Sequence, residues 1–131
     1  MQKKRITTRQ VKEPPPKTWS QCLRMGDLVF ISGQVAYDAR GRLVGRGNPL
    51  AQCRQAFRNM RALVEAAGGT MDQIVRMTVW LTDIRHRPLL LRARAEAFRG
   101  DFPTVTLVGG VDLAFDELLV EIDAIAVVPV K

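Results

Sequence analysis

Apolar residues recur at three- and four-residue spacing between Asn48 and Gly69, and this spacing predicts an amphipathic α-helix. Asn48 stands at the N-cap position, Pro49 suits the first helical position, and Gly68 and Gly69 end the pattern. The predicted apolar stripe consists of Cys53, Ala56, Phe57, Met60, Leu63, Val64 and Ala67. Such a stripe packs on a sheet, which favours Cys53 as a small core residue over Cys53 as a nucleophile.

A second helix is predicted over about residues 89–99, ending at Gly100. Arginines occupy its polar positions, among them Arg92 and Arg94. Its expected apolar side consists of Leu91, Ala95 and Phe98.

Period-two alternation predicts strands on either side of these helices. Hairpins are expected within residues 19–44, where "MGD" and "DARG" are typical of turns. Further strands are expected in "IVRMTVWLTDI", "TVTLVGGV" and "ELLVEIDAIAVV". In the last of these, Val120 and Ile122 share one face, and Glu121 and Asp123 share the other.

The order strands, helix, strand, helix, strands predicts an α+β fold, with a mixed sheet and both helices packed on one of its faces. The other face would then expose Leu119, Ile125 and Val127 beside Glu121. That apolar patch is larger than monomers usually show. We therefore expect the chain to form oligomers through the bare face of its sheet.

The length of 131 residues predicts a single domain. Residues 1–16 end in "KEPPP", whose three prolines lack backbone donors, so this segment is expected to be a tail or an edge element. The domain proper is then expected to span residues 17–131.

The net charge of +7 raises the question of nucleic-acid binding. The bases are spread through the N-terminal segment, the 40s and both predicted helices, without the interleaved aromatic residues of an RNA-binding surface. This distribution argues against a nucleic-acid partner. Residues 100–130 differ from the rest, because they contain six carboxylates and no Lys or Arg.

Motifs for membranes, metals and redox chemistry are missing from the sequence. No apolar run approaches the ~20 residues of a membrane-spanning helix, and the N-terminus lacks a signal-peptide core, so a cytoplasmic location is expected. Cys22 and Cys53 have neither CxxC spacing nor a nearby histidine, which predicts two reduced thiols and excludes the common metal and redox motifs. The single histidine, His86, is interpreted as an exposed loop residue rather than a catalytic base.

Five segments together resemble the reactive intermediate deaminase family, also called Rid, YjgF or L-PSP-like. They are "GDLVFISGQVAYDARGRLV", "LVEAAGG", "IVRMTVWLTDI", the "FP" at 102–103 and "LLVEIDAIAV". The resemblance spans about Trp19 to Val128. It implies a chorismate-mutase-like fold, a homotrimer whose sheets line a central barrel, and small-molecule clefts between neighbouring subunits. Better-studied members hydrolyse enamines and imines such as 2-aminoacrylate to 2-oxo acids and ammonia, without a cofactor.

The resemblance also implies site residues. The family's pocket corresponds here to Trp19, where many members have tyrosine, and to Gly33 in "SGQ". Glu121 matches the glutamate that positions the hydrolytic water, although it could instead form a structural ion pair between subunits. Arg92 falls near a position often occupied by asparagine. Trp19 could equally serve as an interface aromatic residue.

One position departs from the family pattern. Deaminases of this family carry an arginine after "FP-x" that holds the substrate carboxylate, and Val105 stands there in this chain. Leu107, two positions further along the strand, is expected at the same pocket. Valine offers no donor or charge, so 2-aminoacrylate is expected to be a poor substrate unless Arg92 or Arg94 substitutes.

The leading hypothesis is therefore a homotrimeric Rid-family protein that binds a small metabolite, with hydrolysis of an imine or enamine other than 2-aminoacrylate. A non-catalytic ligand-binding or regulatory trimer is the first alternative. RNA binding or cleavage is the second, and it predicts a steep salt dependence of binding.

Overall fold

The computed structural model describes residues 2–131, which form one mixed sheet of six strands and two α-helices. The strands lie in the order β1-β2-β3-β6-β4-β5. In chain order the elements are β1 (Lys4–Ile6), β2 (Cys22–Met25), β3 (Leu28–Gln34), α1 (Pro49–Ala66), β4 (Ile74–Leu81), α2 (Arg87–Ala97), β5 (Thr104–Val108) and β6 (Val120–Val127).

The sheet is mixed because β4 and β5 are parallel neighbours, joined by a crossover through α2, whereas the other neighbours pair antiparallel. Helix α1 packs on β3, β6 and α2, so the two helices share one face of the sheet. The predicted α+β class, with a mixed sheet and both helices on one face, is confirmed.

Helix α1 begins and ends as its sequence predicts. The side-chain oxygen of Asn48 accepts a hydrogen bond from the backbone N–H of Ala51 at 3.0 Å, and Pro49 is the first helical residue. The predicted stripe, from Cys53 to Ala67, is buried at every position, which confirms that α1 packs on the sheet.

The sequence predicted the wrong buried face for α2. The helix runs from Arg87 to Ala97, and it buries Leu90 and Ala93 while Ala95 is exposed. Phe98 is buried, but it follows the helix in extended backbone, with φ −121° and ψ 149°. Counting helical periodicity back from Phe98 therefore selects the wrong face.

The N-terminal residues form an edge element, which was one of the two expectations for this segment; Met1 lies outside the described residues. Strand β1 pairs with β2, and Ile6 and Val11 reach the core. Pro14 and Pro15, further along, contribute to a cavity wall described below. The segment thus participates in both the sheet and the cavity.

The face of the sheet opposite the helices carries exposed apolar side chains. Leu28 and Phe30 on β3 are 43% and 41% exposed, and Val127, which pairs with Leu28, is 39% exposed. Val29 and Ile31, which alternate with them, are buried under the helices. In the isolated subunit this open face therefore has the apolar surface that its sequence predicts.

The two thiols and the histidine are all at least half-buried. Burial raises the pKa of Cys22 to about 11 and that of Cys53 to about 12, which suits Cys53 as a core residue because the thiolate is the reactive form. His86 ends a short 3-10 turn and is half-buried, so the expectation of an exposed loop residue is wrong.

Across residues 2–131, no helix combines the length and apolarity needed to cross a membrane.

Candidate functional site

A cavity of about 690 Å³ opens beside the end of β3, and its volume suits a metabolite-sized ligand. Its walls come from residues within 11–21, 32–41 and 114–121, together with Asn59 on α1. Segments far apart in the sequence therefore meet at one site. Three of the residues predicted for the site, Trp19, Gly33 and Glu121, line this cavity.

Glu121 reaches the cavity from β6 by passing over Gly33. A Cβ atom at residue 33 would lie 2.4 Å from Oε2 of Glu121 and 2.7 Å from its carboxyl carbon. Real Cβ atoms essentially never show contacts below 3.0 Å, so any larger residue at position 33 would require the Glu121 side chain to move from this place. The β3–β6 register shifts between Ile31 and Gln34, at the point where the crossing occurs.

The carboxyl group of Glu121 is half-buried and has no ion-pair or hydrogen-bond partner within residues 2–131. Burial raises its pKa above the usual range, and the negative charge of Asp123 on the same face of β6 raises it further. A carboxyl group with a raised pKa on a cavity wall is suited to take and return a proton near neutral pH.

Aromatic side chains form a second part of the wall. Trp19 is 53% exposed, and its ring borders the cavity. Tyr37 donates a 2.6 Å hydrogen bond to Oε1 of Glu117, and Phe115 packs edge-on against Tyr37 with ring centroids 6.2 Å apart. Burial and the Glu117 contact raise the pKa of Tyr37 to about 12, so its hydroxyl remains a proton donor at neutral pH.

Sequence reasoning missed Tyr37, Phe115 and Glu117. Tyr37 is the only tyrosine in the chain, and this was the one sequence feature that could have marked it as a candidate site residue. Its partners lie about eighty residues away, and no spacing rule connects them.

Gln52, on the polar side of α1, anchors the loops beside the cavity. Its amide nitrogen donates to the backbone carbonyls of Gly45 at 3.1 Å and Glu117 at 3.0 Å. Its amide oxygen accepts from the backbone N–H of Leu119 at 2.8 Å. The residue is fully buried, so these bonds join α1 to the segment that leads into Glu121.

Asn59 makes the matching connection two turns further along α1. Its amide nitrogen donates to the backbone carbonyls of Val35 at 3.0 Å and Tyr37 at 2.9 Å, and its oxygen accepts from Gln55. Asn59 itself lines the cavity. The polar residues of α1 therefore position the loops on both sides of the cavity, a role that helical periodicity alone does not reveal.

Val105 and Leu107 lie outside this cavity in the single subunit. The sheet register pairs Val105 with Met77 and Leu107 with Val79, and both side chains pack against the core under the helices. Glu121 pairs with Trp80 and points to the open face. Within one chain these predicted site residues therefore do not meet Glu121.

Arg92 is also outside the cavity. It lies on the exposed side of α2, where its side chain is 63% exposed and Nε stands 3.8 Å from Oε1 of Glu96. Glu96 is held more closely by Arg54 at 2.6 Å. In the subunit, Arg92 belongs to a surface charge cluster rather than to the cavity.

Comparison with known proteins agrees with this geometry. The family model described as Endoribonuclease L-PSP matches residues 10–128. A 2-iminobutanoate/2-iminopropanoate deaminase of Dermatophagoides farinae is 30% identical over 128 residues, which cover 98% of this chain and 99% of that protein.

Solved structures give the same result. A Rid-family protein of unknown function, YyfA from Yersinia pestis, superposes with a TM-score of 0.90 at 30% identity, covering 97% of this chain and 100% of that one. RidA from an Antarctic Psychrobacter superposes with a TM-score of 0.86 at 30% identity, covering 95% and 99%. The chain has the chorismate-mutase-like fold of these proteins and belongs to the Rid/YjgF/L-PSP family.

Proposed function

We propose that this protein is a cytoplasmic homotrimer that binds a small metabolite in clefts between subunits and hydrolyses an imine or enamine other than 2-aminoacrylate, without a cofactor. The observation that carries the proposal is the carboxylate of Glu121, half-buried in a metabolite-sized cavity and unpaired within residues 2–131. The deaminase name of the mite relative supports the reaction class.

The chemistry assigns Glu121 one task, which is to handle the proton of water. Glu121 accepts a proton as the water oxygen bonds to the imine carbon, and the π electrons of C=N move to nitrogen. With a protonated imine, the same proton then passes to the nitrogen of the carbinolamine. As the C–N bond breaks and ammonia leaves, Glu121 accepts the proton of the hydroxyl group and the carbonyl forms. Acid and base steps alternate on one group, which suits a carboxyl whose pKa lies above its usual range.

The trimer would place the open face of the sheet at subunit interfaces. Leu28, Phe30 and Val127 supply the apolar surface for this contact. In our proposal a neighbouring subunit also brings the sheet edge formed by β5 to the cavity, and Val105 and Leu107, which are only partly buried in their own subunit, lie on that edge strand.

Analytical ultracentrifugation is expected to give a mass about three times 14.7 kDa. Phe30→Lys should shift the population toward monomer, because it buries a charge in the proposed interface. Val130→Lys, which alters an exposed apolar residue near the chain end, is the matched control. A wild-type species of 14.7 kDa at micromolar concentration would contradict the trimer.

Val105 is expected to make this protein slow on 2-aminoacrylate. An arginine would hold the carboxylate through two charge-assisted hydrogen bonds, and loss of one partner of such a pair commonly costs about 2–5 kcal/mol. We expect little acceleration of pyruvate release from 2-aminoacrylate generated in situ, and a gain of about tenfold or more in Val105→Arg.

Ala95→Arg is the control for that experiment, because it adds the same charge at an exposed position of α2, away from the open face of the sheet. Melting curves must show that Val105→Arg still folds, since Val105 packs against the core. Rapid turnover of 2-aminoacrylate by the wild-type protein would disprove the role given to Val105.

Gly33→Ala is expected to reduce imine hydrolysis by about 100-fold, because the new methyl group occupies the place of the Glu121 carboxylate and forces it to move. Gly100→Ala is the control, since a Cβ there meets its nearest atoms at 3.7 Å, an ordinary contact. Retention of activity in Gly33→Ala would show that the position of Glu121 is not critical.

A ligand-binding trimer without catalysis is the second candidate, supported by the replacement of the substrate-holding arginine by Val105. It predicts saturable binding of a metabolite with no release of ammonia or of a carbonyl product.

A further inference from the structure

The charge of the cavity wall is opposite to that of the protein. The chain carries twenty Lys and Arg residues against thirteen Asp and Glu residues. The cavity, in contrast, is lined by the carboxylates of Glu13, Asp38, Glu117 and Glu121, and Lys12 is the one basic lining residue that the described chain contributes.

Three of these carboxylates have arginine partners. Arg5 pairs with Glu13 at 2.7 Å, Arg42 with Asp38 at 3.1 Å, and Arg46 with Glu117 at 3.5 Å. These arginines do not line the cavity, and their side chains are between 45% and 75% exposed. Solvent screens their charge more than it screens the carboxylates that face the cavity.

One carboxylate on the wall remains available to a ligand. Oε1 of Glu13 is enclosed by protein atoms and so is not open to the cavity, and Oε2 of the same residue binds Arg5. Glu121, which is half-buried, has no cationic partner within residues 2–131. A half-buried carboxylate without a donor is unfavourable, and a ligand N–H group would satisfy it.

The aromatic side chains of the cavity complement these carboxylates. Trp19, Tyr37 and Phe115 all line it, and Trp19 and Phe115 are more than half exposed in the subunit. The faces of aromatic rings attract cations, and the attraction grows as the cation loses water. Carboxylates beside exposed aromatic rings therefore form a wall that favours a positively charged ligand of modest size.

We propose that the cavity selects an organic cation without a carboxylate, namely the protonated imine of a simple amine. This inference rests on the proposed function and names its substrate class. A 2-imino acid would bring its carboxylate toward Glu121, whereas the imine R–CH=NH2+ directs donors at it. Hydrolysis balances as R–CH=NH2+ plus water giving R–CHO plus NH4+. The class of reaction that would supply such imines is the oxidation of amines.

The test compares three probes with the same phenyl ring: 2-phenylethylammonium, the neutral 2-phenylethanol and the anionic 3-phenylpropionate. Titration calorimetry of the full-length protein at neutral pH is expected to show the cation binding about tenfold or more tightly than the anion. Raising the salt concentration should reduce this ratio, because it screens the wall charges. Equal or tighter binding of the anion, or no binding of the cation at millimolar concentration, would overturn the inference.

Two variants distinguish the effect of the cavity's carboxylates on ligand binding from the effect of the protein's net charge. Glu121→Gln should bring the cation-to-anion ratio toward unity, whereas Glu65→Gln, on the exposed side of α1, should leave it unchanged. An equal effect of both changes would refute the assignment to this cavity.

Turnover measurements distinguish a failure of this inference from a failure of the proposed deaminase function. Imines of phenethylamine and of phenylalanine can be generated in situ by an amine oxidase and an amino-acid oxidase, and their hydrolysis followed. Preference for the imino acid would reject the inference and keep the deaminase. Cation binding with no hydrolysis of either imine would reject the deaminase and keep the ligand class.

Discussion

Glu121→Gln is expected to abolish imine hydrolysis while making the folded protein more stable at neutral pH. Glutamine matches the size of glutamate but cannot take a proton from water, and the loss of a general acid–base group typically costs about 100- to 10,000-fold in rate. The amide still fits above Gly33, so the cavity keeps its shape. Release of ammonia from an imine generated in situ measures the change.

The stability gain follows from the pKa of Glu121. Because burial raises this pKa above the ordinary value of 4.5, the folded state binds the proton more tightly than the unfolded state does. The wild-type protein therefore loses stability as the pH rises from about 4.5 through the raised pKa, and glutamine removes that loss. Melting temperatures should favour the variant at pH 7 and converge near pH 4.

Glu65→Gln provides the control for both measurements, since Glu65 is an exposed residue of α1 away from the cavity. A variant that hydrolyses imines at the wild-type rate would remove Glu121 from the mechanism. A variant that is less stable at pH 7 would instead show that Glu121 has an ion-pair partner in the assembled protein, which was the structural alternative.

Gln52→Met is expected to lower the free energy of unfolding by about 3 kcal/mol, because it removes three hydrogen bonds made by a fully buried amide. Methionine preserves the side-chain volume but offers neither donor nor acceptor of comparable strength. The carbonyl of Glu117 and the N–H of Leu119 would then lack the Gln52 amide as a partner, whereas the carbonyl of Gly45 keeps the bond from the N–H of Asn48 at 2.9 Å. For a chain of this length the melting temperature should fall by about 10 °C.

The same substitution should weaken activity more than its folded fraction explains, since Leu119 lies two residues before Glu121 on the segment that Gln52 anchors. Gln10→Met is the matched control, because Gln10 is exposed. A melting temperature equal to that of the wild type would mean that water or a rearranged loop replaces the lost hydrogen bonds.

Local patterns were sufficient for the elements that depend on neighbouring residues. The α1 caps at Asn48 and Pro49, the buried stripe of that helix, and the alternation along β6 were all read correctly from the sequence. The error in α2 has a local origin as well, because Phe98 is buried from extended backbone and does not belong to the helical repeat.

The site was only partly accessible in this way. The sequence and its resemblance to a family placed Trp19, Gly33 and Glu121 together, and they do line one cavity. The role of Gln52 could not be recognised, because a glutamine at a polar position of an amphipathic helix is normally solvated. The partners of Gln52 are backbone groups, and their positions cannot be inferred from residue types.

The sequence by itself determined the α+β architecture and the apolar open face, since these follow from periodicity. Its resemblance to a family indicated Gly33 and Glu121 as site residues. Only the tertiary structure decided which charges and rings surround that glutamate. Glu13, Tyr37 and Phe115 come from segments up to a hundred residues apart, and they meet because the sheet and the polar residues of α1 bring their loops together. Local sequence sets the faces of elements, whereas the electrostatic character of a cavity depends on contacts between distant segments.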